Sequence, residues 1–277
     1  MKILDMFSGV GGFTLGFHAA NFERYDFGKF PHEQETESDG FYKTVAFCEI
    51  DEKCRKVLQK RFPGVPVLSD VRHVNCFTAP HADIICGGFP CQDLSIQGTK
   101  QGFEGERSSL FYEMLRAAKE VNAKYIVFEN SAQLIRQKKY FTVFARELWN
   151  HGFWFIAFIL CAADFGYFHE RQRAFIIAYP IAHRWHIEHE EVFNETTAIE
   201  VLHVQQQELQ SLLAVYHNME ATEKQWYLDN ERCMPDIRNI DGFSEGLDRI
   251  AMMGNALVPA AACFVAKFLR KVIENGQ

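Results

Sequence analysis

The sequence has no pair of cysteines at CxxC spacing and no Cys/His cluster at zinc-ligand spacing; its eight cysteines are scattered singly. That argues against a disulfide scaffold and a structural zinc module, and no metal is expected. No apolar run reaches membrane-spanning length, and the brief apolar start is too short for a signal peptide. A soluble, cytoplasmic protein of a reducing compartment is expected. Basic character is also missing. The net charge is −7, which as a global figure argues against a nucleic-acid partner. The charge is unevenly spread, however. Residues 181–246 hold four Lys/Arg against thirteen Asp/Glu, a local net of −9 that leaves the remainder near +2.

Apolar residues make up 48% of the 277 residues, and 26 are Phe. Such a chain can bury one large core, or one large and one small. Strand-like runs occur at Lys2–Phe7, Thr44–Ile50, Val65–Leu68, Ala82–Cys86, Tyr125–Phe128, Phe153–Leu160 and Ala174–Tyr179. Helical spacing fills Phe13–Ala20, Asp51–Arg61, Ser108–Val121, Tyr140–His151, Glu195–Met219 and Leu257–Ile273. Strands alternating with helices predict an α/β fold with a parallel sheet. Ligands bind such sheets at the C-terminal strand ends. Gly9, Glu49, Asp70, Cys91 and Glu129 all fall just past a predicted strand end, on one rim.

Two constellations carry chemistry. In Asp5-Met6-Phe7-Ser8-Gly9-Val10-Gly11-Gly12 a glycine-rich turn joins strand to helix, where backbone can approach a ligand closely. Its GxGG spacing departs from the dinucleotide GxGxxG. Glu49 is placed to accept from ribose hydroxyls and Asp70 from an adenine amino group. A nucleoside cofactor without phosphates fits, with S-adenosylmethionine the candidate. The second constellation begins at Gly87-Gly88-Phe89-Pro90-Cys91-Gln92, read as an apolar strand delivering a thiol to a Gly-flanked, Pro-stiffened loop. A thiolate can attack C6 of a cytosine and make C5 nucleophilic. The attack needs a carboxyl with a raised pKa at N3, for which Glu129 is the candidate. An arginine from Arg171-Gln172-Arg173 at O2 would offset the developing charge.

These residues resemble the DNA (cytosine-5) methyltransferase family nearly end to end. The resemblance runs in family order through Asp5–Phe13, Phe47–Asp51, Ser69–Val71, Gly87–Gly98, Gly102–Phe111, Phe128–Ser131, Arg171–Ile177 and Gly254–Pro259. It implies a Rossmann-like S-adenosylmethionine-dependent methyltransferase sheet with a small target-recognition domain. The catalytic domain would be 1–180, completed by 247–277, with target recognition in 181–246. The resemblance makes Cys91 the nucleophile, Glu129 the N3 partner, and Arg171 and Arg173 the pair that contacts cytosine and organises Glu129. Phe7, Gly9, Gly11, Gly12, Glu49, Ile50, Asp70, Pro90, Leu110 and Asn255 would contact the cofactor, S-adenosylhomocysteine being its product. Gln92, Ser95, Gln97 and Arg107 would meet DNA, the cytosine being flipped out of the duplex.

The chain departs from the family pattern in three places. Ser131 follows Glu129-Asn130 where the family has Val, and Phe168-His169 replaces the usual Pro-Gln. The recognition segment is short and acidic, although base readout normally uses Arg, Lys, Asn and Gln. The expected activity is methylation of a specific double-stranded DNA sequence, as in a restriction-modification system. The alternatives are a subunit that needs a partner chain for DNA recognition, and an RNA cytosine-5 methyltransferase; contact with a protein partner, or self-association, is expected through 195–219. The PCQDLS loop favours DNA over RNA.

Overall fold

The computed structural model describes residues 1–22, 40–90, 109–165, 170–183 and 257–275. The seven apolar runs pair into one sheet: β1 (Lys2–Met6), β2 (Lys43–Cys48), β3 (Val67–Leu68), β4 (Ile84–Gly88), β5 (Tyr125–Ser131), β6 (Phe153–Cys161) and β7 (Gln172–Pro180). Their order is β3-β2-β1-β4-β5-β7-β6. From β1 the chain steps outward through β2 to β3, then returns to build β4 and β5 on the other side. The order therefore reverses between β1 and β4, where a doubly wound sheet opens its binding crevice.

Helices α1 (Gly12–Ala19), α2 (Glu52–Arg61), α3 (Ser109–Val121), α4 (Gln133–Arg136), α5 (Lys138–Asn150) and α6 (Pro259–Asn275) complete the described architecture. Alternate strand residues feed two cores. Leu4, Met6, Ile85, Ile126 and Phe128 face α3 and α5, packing against Phe111, Met114, Phe141 and Phe144. Ile3, Ile84, Val127, Phe175 and Ile177 face α1 and α6, against Phe13, Phe17, Val265 and Leu269. The result is a three-layer, Rossmann-like α/β/α fold.

The sheet is mixed, which corrects the expectation of a parallel one. β7 runs antiparallel to both β5 and β6. Parallel neighbours need a crossover of about a dozen residues or more, usually carrying a helix. The link from Cys161 to Gln172 is too short for that, so the chain doubles back. Another difference lies in the paired glycines. Gly87 and Gly88 belong to β4 rather than to the loop after it. The amphipathic helix expected at 195–219 and most of 181–246 lie outside the described residues. Among the described residues, no helix is long and apolar enough to cross a membrane.

The C-terminal helix packs directly on α1. A Cβ at Gly16 would lie 2.4 Å from Ala262 Cβ and 2.7 Å from its carbonyl carbon. The backbones touch here, so neither helix can yield a side chain to make room. Gly16→Ala is expected to destabilise the protein by about 1–3 kcal/mol through overpacking, read as a lower urea midpoint with an unchanged slope.

Candidate active site

Beyond β1 the backbone curls through positive φ at Phe7 (53°) and Gly9 (53°). Ser8 fastens the curl from beneath: its hydroxyl donates to the Asp5 carbonyl at 2.6 Å, and the Gly11 N–H donates to the Ser8 carbonyl at 2.8 Å. A Cβ at Gly9 would meet no atom within 4 Å, so the turn presents bare backbone to open space. Gly11, the residue before α1, has no side chain to cap it. Asp5 supplies the cap from β1, its Oδ2 accepting from the Thr14 N–H at 3.2 Å and the Thr14 hydroxyl at 2.7 Å. Asp5 is fully buried, and its Oδ1 has no hydrogen-bond partner. Burial therefore outweighs the Thr14 hydrogen bonds and raises its pKa to about 7. This carboxyl was not anticipated as a functional group; a lone Asp inside the apolar run Lys2–Met6 was the available signal.

Glu49 follows β2 on the same rim. Its Oε2 accepts the Gly9 N–H at 2.7 Å and its Oε1 the Asp51 N–H at 2.8 Å. Each carboxylate oxygen can accept two hydrogen bonds, so each retains one position for an incoming hydroxyl. Beside it Ile50 is 69% exposed, an apolar surface suited to a flat ring. Asp51 then caps α2, accepting from the Lys53 and Cys54 N–H groups. Asp70 follows β3, but its carboxylate is already gripped by Arg72.

The second half of the site stands on β4 and β5. Gly88 pairs with Glu129, and a Cβ at Gly88 would lie 2.6 Å from Glu129 Oε2. The absent side chain is where the Glu129 carboxyl lies, which is the physical need for glycine here. Arg173, brought alongside by the antiparallel β7, donates from Nε to Glu129 Oε1 at 2.8 Å. Burial pushes the Glu129 carboxyl above its usual range, against the pull of Arg173 and then Arg171. Burial and the like charge of Arg173 together lower the Arg171 pKa. Asn130, on the opposite face, donates from Nδ2 to the Phe89 carbonyl at 3.1 Å. The Phe89 ring is buried among Phe111, Phe128 and Phe144. The stem that leads through the exposed Pro90 to Cys91 is thus anchored by ring and carbonyl alike.

Phe7, Gly9, Gly11, Gly12, Glu49, Ile50 and Asp70 lie along one edge of the sheet, with Pro90 at the end of β4 and Leu110 on the first turn of α3. Cys91, Gln92, Ser95, Gln97, Arg107 and Asn255 lie outside the described residues, as do Phe168 and His169. Three described thiols are poor nucleophiles. Burial pushes Cys48 and Cys54 up to about 12, and Cys86 well above its ordinary value. Among the described residues no group of three or more His, Cys, Asp and Glu could hold a metal ion.

The described geometry is a Rossmann-like sheet with a glycine turn at the strand-order reversal and a carboxyl–arginine pair beside it. Residues 1–256 match the family model of the C-5 cytosine-specific DNA methylases, and the chain belongs to that family. It is 30% identical over 187 residues to the Type II methyltransferase M2.BsuMI of Bacillus subtilis, covering 64% of this chain and 42% of that one. Against M.NgoFVII of Neisseria gonorrhoeae the identity is 32% over 200 residues, covering 70% and 48%. Against M.HhaI of Haemophilus parahaemolyticus it is 29% over 181 residues, covering 65% and 49%. The chain thus spans about half the length of the curated relatives it matches. In fold it is similar to the Entamoeba histolytica methyltransferase EhMeth, with a TM-score of 0.50 at 14% identity, covering 70% of this chain and 57% of that one.

The family implies S-adenosylmethionine as methyl donor, and the residues present fit it. The open face of Gly9, the two free acceptor positions on Glu49 and the exposed Ile50 suit a ribose and a purine with no phosphate to neutralise.

The buried Asp5 gives a test of this region. A carboxyl whose folded pKa lies above its unfolded value contributes stability at low pH, and that contribution is lost as pH rises toward the folded pKa. Wild-type stability is expected to decline from pH about 4 to about 7 by this contribution. In Asp5→Asn that slope should flatten, as measured by urea denaturation across the range.

Proposed function

We propose that this protein transfers a methyl group from S-adenosylmethionine to C5 of a cytosine flipped out of a specific double-stranded DNA sequence. The observation that carries the reading is Glu129, a carboxyl raised in pKa, paired with Arg173 and seated across Gly88, three residues before Cys91 in the chain.

In this reading the Cys91 thiolate adds to C6, forming a carbon–sulfur bond while the C5–C6 double-bond electrons move toward C5. Glu129 gives its proton to, or shares it with, N3, so the ring accepts the electron pair without a full negative charge. Arg171 and Arg173 offset the charge developing at O2, and the ion pair to Arg173 fixes which Glu129 oxygen faces the ring. The cofactor, when bound, supplies the methyl group as a sulfonium-activated electrophile. Afterwards the proton at C5 leaves to a base, the N3 proton returns to Glu129, the thiolate is expelled from C6, and the aromatic ring is restored. Phe7, Gly9, Gly11, Gly12, Glu49, Ile50, Asp70, Pro90, Leu110 and Asn255 are the proposed cofactor residues. Gln92, Ser95, Gln97 and Arg107 are the proposed DNA contacts, residues 1–180 with 247–277 the catalytic domain, and residues 181–246 the recognition segment.

A second reading draws on charge. Thirteen acidic side chains against four basic ones in 181–246 are poorly suited to a phosphate backbone. A partner chain supplying sequence recognition would remove that difficulty. Expression of this chain alone in a host without cytosine methylation, followed by bisulfite mapping, separates the two. One short methylated motif supports the first reading. Methylation that appears only with an added partner supports the second, and no methylation from folded protein under either condition sinks both.

The nucleophile is testable directly. Cys91→Ala should abolish transfer and leave S-adenosylhomocysteine binding within about twofold of wild type, measured by calorimetry. Duplex DNA carrying 5-fluorocytosine in the target should trap a denaturation-resistant adduct with the wild type and none with the variant, because fluorine blocks release at C5.

A further inference from the structure

Asp70 is the cofactor residue whose surroundings depart most from its expected role. Its carboxylate receives four hydrogen bonds from three donor groups, all of Arg72. Arg72 Nε donates to Oδ1 at 3.0 Å and to Oδ2 at 3.1 Å, and Nη2 donates to Oδ2 at 2.6 Å. The Arg72 backbone N–H donates to Oδ1 at 3.0 Å. Each oxygen thus accepts two hydrogen bonds, the Nε–H being shared between them, and two apiece is the capacity of a carboxylate. An adenine amino group can therefore bind Asp70 only by displacing part of this fork. Glu49, by contrast, retains acceptor capacity on both oxygens.

The displaced part must be the guanidinium. Arg72 belongs to the 3-10 turn Val71–His73, and that turn is held from α3. Arg116 donates through Nη2 to the Val71 and Arg72 carbonyls at 3.0 and 3.4 Å, and through Nη1 to the Val74 carbonyl at 2.7 Å. Glu113 orients Arg116 in turn, accepting from its Nε at 2.8 Å. The backbone and its amide bond to Oδ1 are thus fixed, whereas the Arg72 side chain is 64% exposed and can swing into solvent.

We propose that Arg72 is a built-in competitor for the adenine amino group at Asp70, so that the cofactor docks by displacing the guanidinium and the guanidinium's return helps to release the product. The proposal rests on the reading of Asp70 as the adenine acceptor. The same fork holds the Asp70 carboxyl down to a pKa of about 2, so the acceptor stays ionised at working pH and protons do not gate the exchange. Salt does. An exposed ion pair is weak and is screened, so added salt removes the competitor without touching the neutral purine.

The test uses the full chain, with S-adenosylhomocysteine and its inosine counterpart, in which a carbonyl replaces the amino group, as probes in calorimetry. Arg72→Ala and Arg72→Gln are each expected to bind S-adenosylhomocysteine about two- to fivefold more tightly than wild type at low salt. The gain should shrink as sodium chloride is raised, and the inosine probe should gain nothing. Unchanged or weaker binding of S-adenosylhomocysteine by both folded variants overturns the competition. Asp70→Ala reports on the underlying reading. If it weakens S-adenosylhomocysteine while the Arg72 variants gain nothing, Asp70 is the adenine acceptor and only the competition fails. If it binds both probes as the wild type does, the role of Asp70 itself is wrong and the proposal falls with it.

Discussion

The ion pair between Glu129 and Arg173 is the contact from which the rest of the site follows. Without a cation beside it, a carboxyl in this position would lose the contact that pulls against burial and fixes its orientation. The cation comes from a strand that must run backwards to reach it. Ser131 pairs with Arg173 and Glu129 with Phe175, so the arginine reaches Glu129 along the diagonal between adjacent strands. A parallel β7 would lose this register. Room for the carboxyl comes from Gly88, where any Cβ would collide with Oε2. The next residue, Asn130, points to the other face and holds the Phe89 carbonyl. Two consecutive residues of β5 thus set the acid and the stem that carries the thiol.

Burial raises the carboxyl pKa at both Asp5 and Glu129, but the groups that oppose it differ. Glu129 has Arg173 in an ion pair and the charge of Arg171 nearby, and burial is partly offset by these full charges. Asp5 has the Thr14 hydrogen bonds and the amino end of a short helix. Charge at such an end gains typically 0.3–1 kcal/mol, up to about 2 when partly buried, while the effective cost of burying an ion is several kcal/mol. Desolvation wins here as it does at Glu129, and the Asp5 pKa is pushed up to about 7. Its value to the site is as an acceptor that caps a glycine turn unable to cap itself. A side chain on Gly11 that did the same work would be forced into Phe62, whose Cε2 lies 2.7 Å from the Cβ position.

Much of this was legible in the sequence because strand ends and rim residues are local features. The seven apolar runs, the turn after β1 and the acid after β2 each follow from a few adjacent residues. What was hidden depends on partners distant in the chain. Gly87 and Gly88 read as flanks of the thiol loop, yet one admits the Met6 carbonyl, which would sit 2.4 Å from a Cβ, and the other admits Glu129. Asp70 read as a ready acceptor because the sequence does not say that Arg72 folds back onto it rather than into solvent. The direction of β7 was obscured for a similar reason: alternation of strands and helices carries no sign until the last connection proves too short.

The pairing of β1 with β4 ties the two halves of the site together. Met6 is in register with Gly87; the cofactor turn begins one residue after the first and the thiol stem two residues after the second. With no side chain at Gly87 the two backbones close to contact, so the separation between turn and stem is set by main-chain geometry rather than by side chains that could relax. On the proposed chemistry, methyl donor and acceptor meet across this gap. Alignment of reacting atoms is worth many orders of magnitude in rate, and it is better held by a strand pair at the centre of a sheet than by loops. The same logic explains why the exchangeable element, Arg72, sits beyond β3 at the sheet's edge. There a side chain can leave and return without disturbing the central pair.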